Sequence, residues 1–280
     1  MQLAVLLTCH NRRDTTVSCI EALSMQCLPN NAELTIYLVD DGCTDGTAAV
    51  VTQRFPRVRI IAGDGDLYWG GGMRLAWSVA AAADYDAYLW LNDDTALVPA
   101  AISTLLASWR TAESIGLPGI IVGSTCDPDS ARLTYGGCGR RFTPIEPSWQ
   151  MQLCDTMNGN IVLVPRAVFH AVGNLCSEFR HSGDADYGLR ARKAGFKIWV
   201  APGFLGSCRP NFSPPWSDPS VPFCSRWRSL QSPKGLPVRE RYIFCRRHHR
   251  LGWPLDILKL FLRVSLPGPW YWLKRLTGRI

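Results

Sequence analysis

Three short apolar runs, at residues 33–39, 58–62 and 87–91, each stop at a cluster of Asp, Gly or Asn, and a stretch with helical spacing separates each from the next. Runs of this length, closed by polar turns, read as buried strands. Strands alternating with helices point to a mostly parallel sheet covered on both faces. Right-handed crossovers then bring the polar loops to the carboxyl edge of the sheet, where open α/β folds bind ligands. A run at residues 3–7, followed by Val17, Ile20 and Leu23 at helical spacing, opens the same series.

The run at 87–91 ends in Asn92-Asp93-Asp94-Thr95. Two hard carboxylates just past a central strand suit Mg²⁺ or Mn²⁺ carrying a diphosphate. Taken alone, they also suit an Asx turn ahead of the helix expected from Pro99. In the loop Asp40-Asp41-Gly42-Cys43-Thr44-Asp45-Gly46-Thr47, Thr44 or Asp45 is placed to cap a helix reaching Phe55. Gly70-Gly71-Gly72, ahead of a helix expected over 73–83, reads either as a backbone cradle for phosphate or as a turn. No Gly-Lys-Ser/Thr follows it, and no G-x-G-x-x-G follows the first strand, so neither a Walker loop nor a dinucleotide fingerprint is present.

Further along, residues 115–122 form a strand interrupted by Gly116-Leu117-Pro118-Gly119, which argues for an edge or irregular position. A hairpin is expected around 133–135 and 141–142, then a strand at 161–164 and a helix from Pro165. Asp186 and Arg190 stand four apart on the next helix, as a pair holding its surface, with Gly195 at the C′ position. Asp184 lies at that helix's start, where a cap explains one acid but does not require a second. Residues 196–200 make the closing strand.

A chain of 280 residues, 47% hydrophobic and 19% charged, can bury the core of one large α/β domain. Its eleven cysteines are odd in number and include no C-x-x-C pair, so Cys9, Cys19 and Cys27 read as small core residues in a reducing compartment. The first residues lack a basic stretch ahead of the apolar run, so no signal peptide is expected and a cytosolic chain is. The net charge of +7 conceals an asymmetry: thirteen of the 30 basic residues but only two of the 23 acidic ones lie from Arg226 onward.

Thr8-Cys9-His10-Asn11-Arg12, Val39-Asp40-Asp41-Gly42-Cys43-Thr44-Asp45-Gly46-Thr47, Asn92-Asp93-Asp94, and Gly183-Asp184-Ala185-Asp186-Tyr187-Gly188-Leu189-Arg190 with Lys193-Ala194-Gly195-Phe196 occur in that order. Together they resemble the family 2 glycosyltransferases of the GT-A fold, over roughly residues 3–206. The resemblance implies an α/β architecture: a three-layer α/β/α domain with a mostly parallel central sheet at residues 1–210, and a helical tail at 211–280. It implies that Thr8 and His10 line the nucleotide base and ribose, that Asp40 or Asp41 accepts from the base, and that Arg74 meets the donor diphosphate. Asp93 is then expected near the ribose, Asp94 on a divalent metal, Mg²⁺ or Mn²⁺, and Asp184 as catalytic base. In such an inverting transfer the base takes the acceptor proton while a nucleoside diphosphate leaves. Three positions depart from the family pattern. Asn92 replaces the usual first acid, Gly183 replaces the acid before the base, and Ser207-Cys208-Arg209 stands where many relatives have a His near the metal. Cys208 is a soft ligand, poorly suited to Mg²⁺.

Residues 211–237 are rich in Pro, Ser and Trp and read as a linker. Beyond them, a basic helix over 238–250 and an amphipathic one over 255–266, too short and too charged to span a bilayer, precede Trp270-Tyr271-Trp272 beside Lys274 and Arg275. This fits a segment lying on an anionic leaflet, the alternative being packing on the domain or on a partner subunit. No nucleic-acid fold accompanies the basic tail, so nucleic acid is not expected as a partner. The expected protein is a metal-dependent, inverting enzyme using a nucleotide-sugar donor and a glycan or lipid-linked acceptor of the cell surface, peripheral on the cytoplasmic face of a membrane. The alternative, raised by Asn92, Gly183 and the missing His, is a non-catalytic nucleotide-sugar-binding or scaffold subunit. A sugar-phosphate nucleotidyltransferase fits less well, because the first loop lacks the glycine-and-arginine signature used on a triphosphate.

Overall fold

The computed structural model describes residues 1–29, 31–210, 215–232, 235–249 and 251–276. The chain divides into two units, Met1–Pro210 and Asn211–Ile280. The first unit opens with β1 (Gln2–Cys9), α1 (Arg13–Ser24), β2 (Glu33–Asp40), α2 (Thr47–Arg54), β3 (Arg59–Ala62), α3 (Tyr68–Ala80) and β4 (Ala87–Leu91). It continues with β5 (Ala96–Leu97), α4 (Ala101–Ser114), β6 (Gly119–Cys126), β7 (Leu133–Tyr135), β8 (Gly137–Cys138), β9 (Gln152–Leu153) and β10 (Thr156–Met157). The unit closes with β11 (Ile161–Pro165), α5 (Arg166–Val172), α6 (Asp184–Lys193) and β12 (Lys197–Ser207).

The main sheet runs β3-β2-β1-β4-β11-β6-β12-β5, with β7 joined to β6 and β9 to β12. β3, β2, β1 and β4 are mutually parallel, and β11 runs against both its neighbours. Cys9 stands opposite Asp40 and Leu6 opposite Trp90, so the loops after β1, β2 and β4 leave the same edge. Side chains alternate across β1 because successive residues of a strand point to opposite faces. Leu3, Val5 and Leu7 join Val17 and Ile20 of α1, Val51 of α2 and Leu105 of α4 in one core layer. Ala4 and Leu6 join Met73 and Trp77 of α3, Val168 of α5 and Tyr187 of α6 in the other. Trp77 packs on Tyr88, Trp90 and Tyr187 at ring separations of 5.5, 5.3 and 5.3 Å, which fixes α3 and α6 against β4.

Several local expectations are corrected. β6 is central, between β11 and β12, because Pro118 precedes the strand and Gly119 begins it; a Cβ there would collide with the Lys197 carbonyl, so the glycine permits close strand approach. Residues 140–142 form a 3₁₀ turn with Arg141 at φ 60°, and β7 pairs with β6 in place of a hairpin partner. The glycines at 70–72 lie inside α3, which begins five residues earlier than expected. Cys27 is exposed, whereas Cys9 and Cys19 are buried as expected. The Asp186–Arg190 pair forms at 2.9 Å, but Asp186 is buried, and the guanidinium also holds the carbonyls of Val172 and Asn174.

The second unit contains α7 (Phe223–Leu230), α8 (Val238–His248), α9 (Trp253–Ser265) and α10 (Pro267–Leu276). Arg250, the expected end of the basic helix, lies outside the described residues, as do residues 211–214 of the linker. Trp216, Leu230, Leu260 and Val264 form its small core. Arg226, counted among the basic residues of the tail, is buried and donates from Nε to the Val264 carbonyl at 2.8 Å, satisfying the carboxyl end of α9. No described helix is long and apolar enough to cross a membrane.

Candidate active site

The site assembles at the edge where β1, β2 and β4 end. After β1, Asn11 adopts φ 50° and its amide oxygen accepts from the Thr44 N–H at 2.7 Å, tying the first loop to the second. His10 sits against the same loop, with Nδ1 2.5 Å from the Asp41 carbonyl. That ring nitrogen must donate, which leaves Nε2 to accept from Asn11 Nδ2 at 3.2 Å. Thr8 lies under α3 against Gly72. The N-cap of α2 is Gly46, in place of the expected Thr44 or Asp45; Asp45, one residue before it, accepts from the N–H and hydroxyl of Thr47 and from the Arg13 N–H, which ties the start of α2 to α1.

The paired acids Asp40 and Asp41 have different tasks. Asp41 is buried, and its carboxylate accepts from the N–H groups of Gly65, Leu67 and Tyr68 at 2.9–3.3 Å. It therefore acts as a remote cap for α3. Asp40 is half-buried and receives the Cys43 N–H on Oδ1 at 2.8 Å.

After β4 the arrangement also departs from expectation. Asn92 Oδ1 accepts from the Trp69 indole N–H at 2.8 Å, so Asn92 orients an aromatic ring and its amide oxygen is taken. Asp93 is buried. It is 5% exposed and held by Arg12 Nη1 at 3.0 Å and the Thr16 hydroxyl at 3.2 Å. Burial pushes its carboxyl up to about 6 despite the guanidinium. Asp94 faces the opening. Its Oδ2 meets Arg12 Nη1 at 2.9 Å and its Oδ1 meets the Cys208 thiol at 3.5 Å.

Asp184 begins α6, behind Gly183 at φ 130°. Its Oδ1 accepts from the Ala185 N–H at 2.8 Å and its Oδ2 from the Gly159 N–H at 2.9 Å. Burial raises its carboxyl above the ordinary range, opposed by these N–H groups. Gly159 is wedged between Trp69 and Asp184: a Cβ there would collide with the indole and lie 3.4 Å from Asp184 Cβ. Thus Asp41 sets the start of α3, α3 carries Trp69, and Trp69 links Asn92 of β4 to the loop that fixes Asp184.

Arg74 stands in the second turn of α3, and its Nε is buried with no hydrogen-bond partner. The Gly70 and Gly71 N–H groups both donate to the Arg180 carbonyl, at 2.8 and 3.2 Å, so the cradle they were expected to offer phosphate is closed. Four residues to which no role was given shape the site: Arg12, Thr16, Trp69 and Asn160, whose carbonyl accepts from the Asn92 N–H. Only Arg12 carried a signal, as a cation in the first polar loop.

A divalent metal fits these residues through Asp94 alone. Mg²⁺ and Mn²⁺ bound through one or two carboxylates complete their shells with water and phosphate oxygens. Burial and Asp94 push the Cys208 thiol up to about 12, and its sulfur is a soft donor poorly suited to Mg²⁺.

A model of the family described as glycosyl transferase family 2 matches residues 4–169. The chain belongs to that family. The succinoglycan biosynthesis protein ExoA of Rhizobium meliloti (strain 1021) is 27% identical over 206 residues, which cover 70% of this chain and 59% of that protein. An uncharacterised protein of Mycobacterium tuberculosis (strain ATCC 25618 / H37Rv) is 25% identical over 186 residues, 60% of this chain and 66% of that protein. The chain thus spans less than two thirds of either relative. Among solved structures, Staphylococcus aureus TarS in complex with UDP superposes with TM-score 0.54 at 12% identity, covering 90% of this chain and 72% of that one. The mannosyltransferase PcManGT from Pyrobaculum calidifontis, in complex with GDP-Man and Mn²⁺, does so with TM-score 0.57 at 14% identity, covering 96% and 71%. The fold of this family 2 member is therefore the GT-A fold expected from the sequence.

Proposed function

We propose that this chain is an inverting, metal-assisted glycosyltransferase that moves a sugar from a nucleotide-sugar donor to a glycan or lipid-linked acceptor in cell-surface polysaccharide synthesis. The observation that carries the reading is Asp184, a carboxylate of raised pKa held by two backbone N–H groups and linked through Gly159 and Trp69 to the loop bearing Asp94. A carboxylate of this kind is a stronger base than an exposed one and cannot rotate away from its target. Asp184 takes the proton of the acceptor hydroxyl as that oxygen attacks the anomeric carbon, and the nucleoside diphosphate leaves from the opposite face. Thr8, His10 and Asp40 bind the nucleoside. Arg74, whose Nε lacks a partner, offers a donor to the diphosphate. When bound, the metal held by Asp94 supplies positive charge against the leaving diphosphate. The nucleotide and acceptor classes are supported by what the similar proteins are named for and hold: UDP, GDP-Man with Mn²⁺, and succinoglycan biosynthesis.

A thermal-shift screen with UDP, GDP and their sugar conjugates, with and without Mn²⁺, tests the donor reading. One nucleotide class should raise Tm by roughly 5–10 °C at a concentration about a hundred times Kd. Asp94→Asn should lose the Mn²⁺-dependent part. The absence of a shift with every nucleotide would defeat the reading.

The tail is the proposed membrane contact, on the cytoplasmic face. Leu255, Leu258 and Leu262 recur every three or four residues along α9, Leu266 follows at its carboxyl end, and all four are 40–60% exposed, forming an apolar stripe, and Trp272 on α10 is exposed too. Replacing Leu255, Leu258 and Leu262 together with Glu should reduce co-sedimentation with anionic phosphatidylserine vesicles at least about tenfold. Unchanged sedimentation would assign the stripe to a protein partner.

A further inference from the structure

We propose that Arg12 is the resident counter-cation of Asp94 and the residue that makes metal binding depend on the diphosphate; this rests on the donor and metal reading above. Arg12 Nη1 lies 3.0 Å from Asp93 Oδ1 and 2.9 Å from Asp94 Oδ2, so one nitrogen bridges two adjacent carboxylates. The root of the side chain is fixed. Asn11 is locked to Thr44, and the Arg12 carbonyl accepts the Thr16 N–H at 2.9 Å to start α1. Its side chain is 40% exposed and that of Asp94 30%, so the guanidinium can leave Asp94 without unpacking the core.

A bare divalent ion approaching Asp94 meets a guanidinium already bound to Oδ2. Two cations on one carboxylate repel each other, so the ion alone binds weakly. A diphosphate changes that balance. Its oxygens offer the guanidinium a planar acceptor that matches its fork, releasing Asp94 for the ion. Metal and diphosphate then bind with positive cooperativity, and by linkage each strengthens the other by the same factor. Asp93, tied to both Arg12 and Thr16, keeps the guanidinium near the site during the exchange. Free metal is thereby kept off the enzyme until donor arrives.

Calorimetry of the full chain with Mn²⁺ alone, and with Mn²⁺ in the presence of saturating UDP or GDP, reads this coupling without any turnover. In the wild type, the diphosphate should tighten Mn²⁺ binding at least about tenfold. Arg12→Met should bind Mn²⁺ alone about tenfold more tightly than wild type, as removal of a unit charge a few ångströms away from a half-exposed site requires. Its gain from diphosphate should shrink by the same factor, the remainder coming from phosphate oxygens on the metal itself, while Arg12→Lys, which keeps the charge, should stay near the wild type. Because Arg12→Met strands Asp93 without its cation, the double variant Arg12→Met/Asp93→Asn is compared with Asp93→Asn, and the same tightening of Mn²⁺ alone is expected between those two. Unchanged Mn²⁺ affinity in both comparisons, or weaker binding of Mn²⁺ alone, overturns the proposal. A wild type that binds neither UDP nor GDP defeats the donor reading instead, and the Mn²⁺-alone arm still reports whether Arg12 occupies Asp94.

Discussion

Asp184→Asn should bind nucleotide-sugar donor with wild-type affinity and transfer it about 10²–10⁴ times more slowly, the range expected for loss of a general base. The change is nearly isosteric, and Asn can still accept from Gly159 or Ala185 through its remaining oxygen. Its effect on stability should be small, for a reason contained in the direction of the pKa shift. The carboxyl of Asp184 is raised by burial above its ordinary value. Between the unfolded and the folded pKa the folded chain therefore holds the proton more tightly, and stability falls as pH rises through that window. At neutral pH the ionised group costs folding free energy, so a neutral replacement relieves a cost while removing the base, the usual opposition of stability and activity at a working site. Activity requires the ionised form, so the acid limb of the kcat profile should lie above the ordinary aspartate range and vanish in the variant. Equal transfer rates for wild type and Asp184→Asn would remove Asp184 as the base, and donor binding without any turnover in the wild type would leave the non-catalytic binding subunit as the reading of this fold.

How much of this was visible in the sequence depends on the range of the contact that decides it. The strand at 87–91, its polar terminus and the alternation of strands with helices follow from local pattern, because burial on both faces demands an unbroken apolar run and a turn to end it. Gly195 at a helix end is local too. The contacts that were missed join distant segments. Arg12 reaches Asp93 across 81 residues, and Trp69 reaches Asn92 only because β1 lies between β2 and β4. Asp40 and Asp41 look equivalent as adjacent acids, yet one accepts the Cys43 N–H of its own loop and the other lies under the loop at 65–68. The interruption before β6 was read as an edge signal, although a central strand also uses glycine where a neighbouring backbone comes too close for a Cβ.

The glycines of α3 carry the sharpest separation of a packing role from a phosphate-binding one, because three adjacent residues should respond differently. A Cβ on Gly70 would meet backbone carbonyls of the segment before Asp184, including that of Phe179 at 2.6 Å, and backbone cannot move aside as a side chain can. One on Gly72 would collide with Thr8 Oγ1 and lie 2.7 Å from Thr8 Cβ. At Gly71 the nearest atom is Leu67 Cβ at 3.3 Å, which needs only a slight shift. Gly70→Ala and Gly72→Ala should each cost about 1–3 kcal/mol as overpacking, lowering Tm by several degrees in the absence of nucleotide. Gly71→Ala should be neutral or stabilise by up to about 1 kcal/mol, since alanine is the better helix former. The Gly72 penalty should be recovered only in part by Thr8→Ala, which removes the Oγ1 contact but keeps Cβ at 2.7 Å, and in full by Thr8→Gly, and the double-mutant coupling measures the contact itself. Gly70→Ala should also slow transfer, because the segment it displaces leads into Asp184. If all three variants keep wild-type Tm and instead lose nucleotide affinity together, the N–H groups of this turn bind phosphate after all, and the Arg180 carbonyl must vacate them when donor arrives.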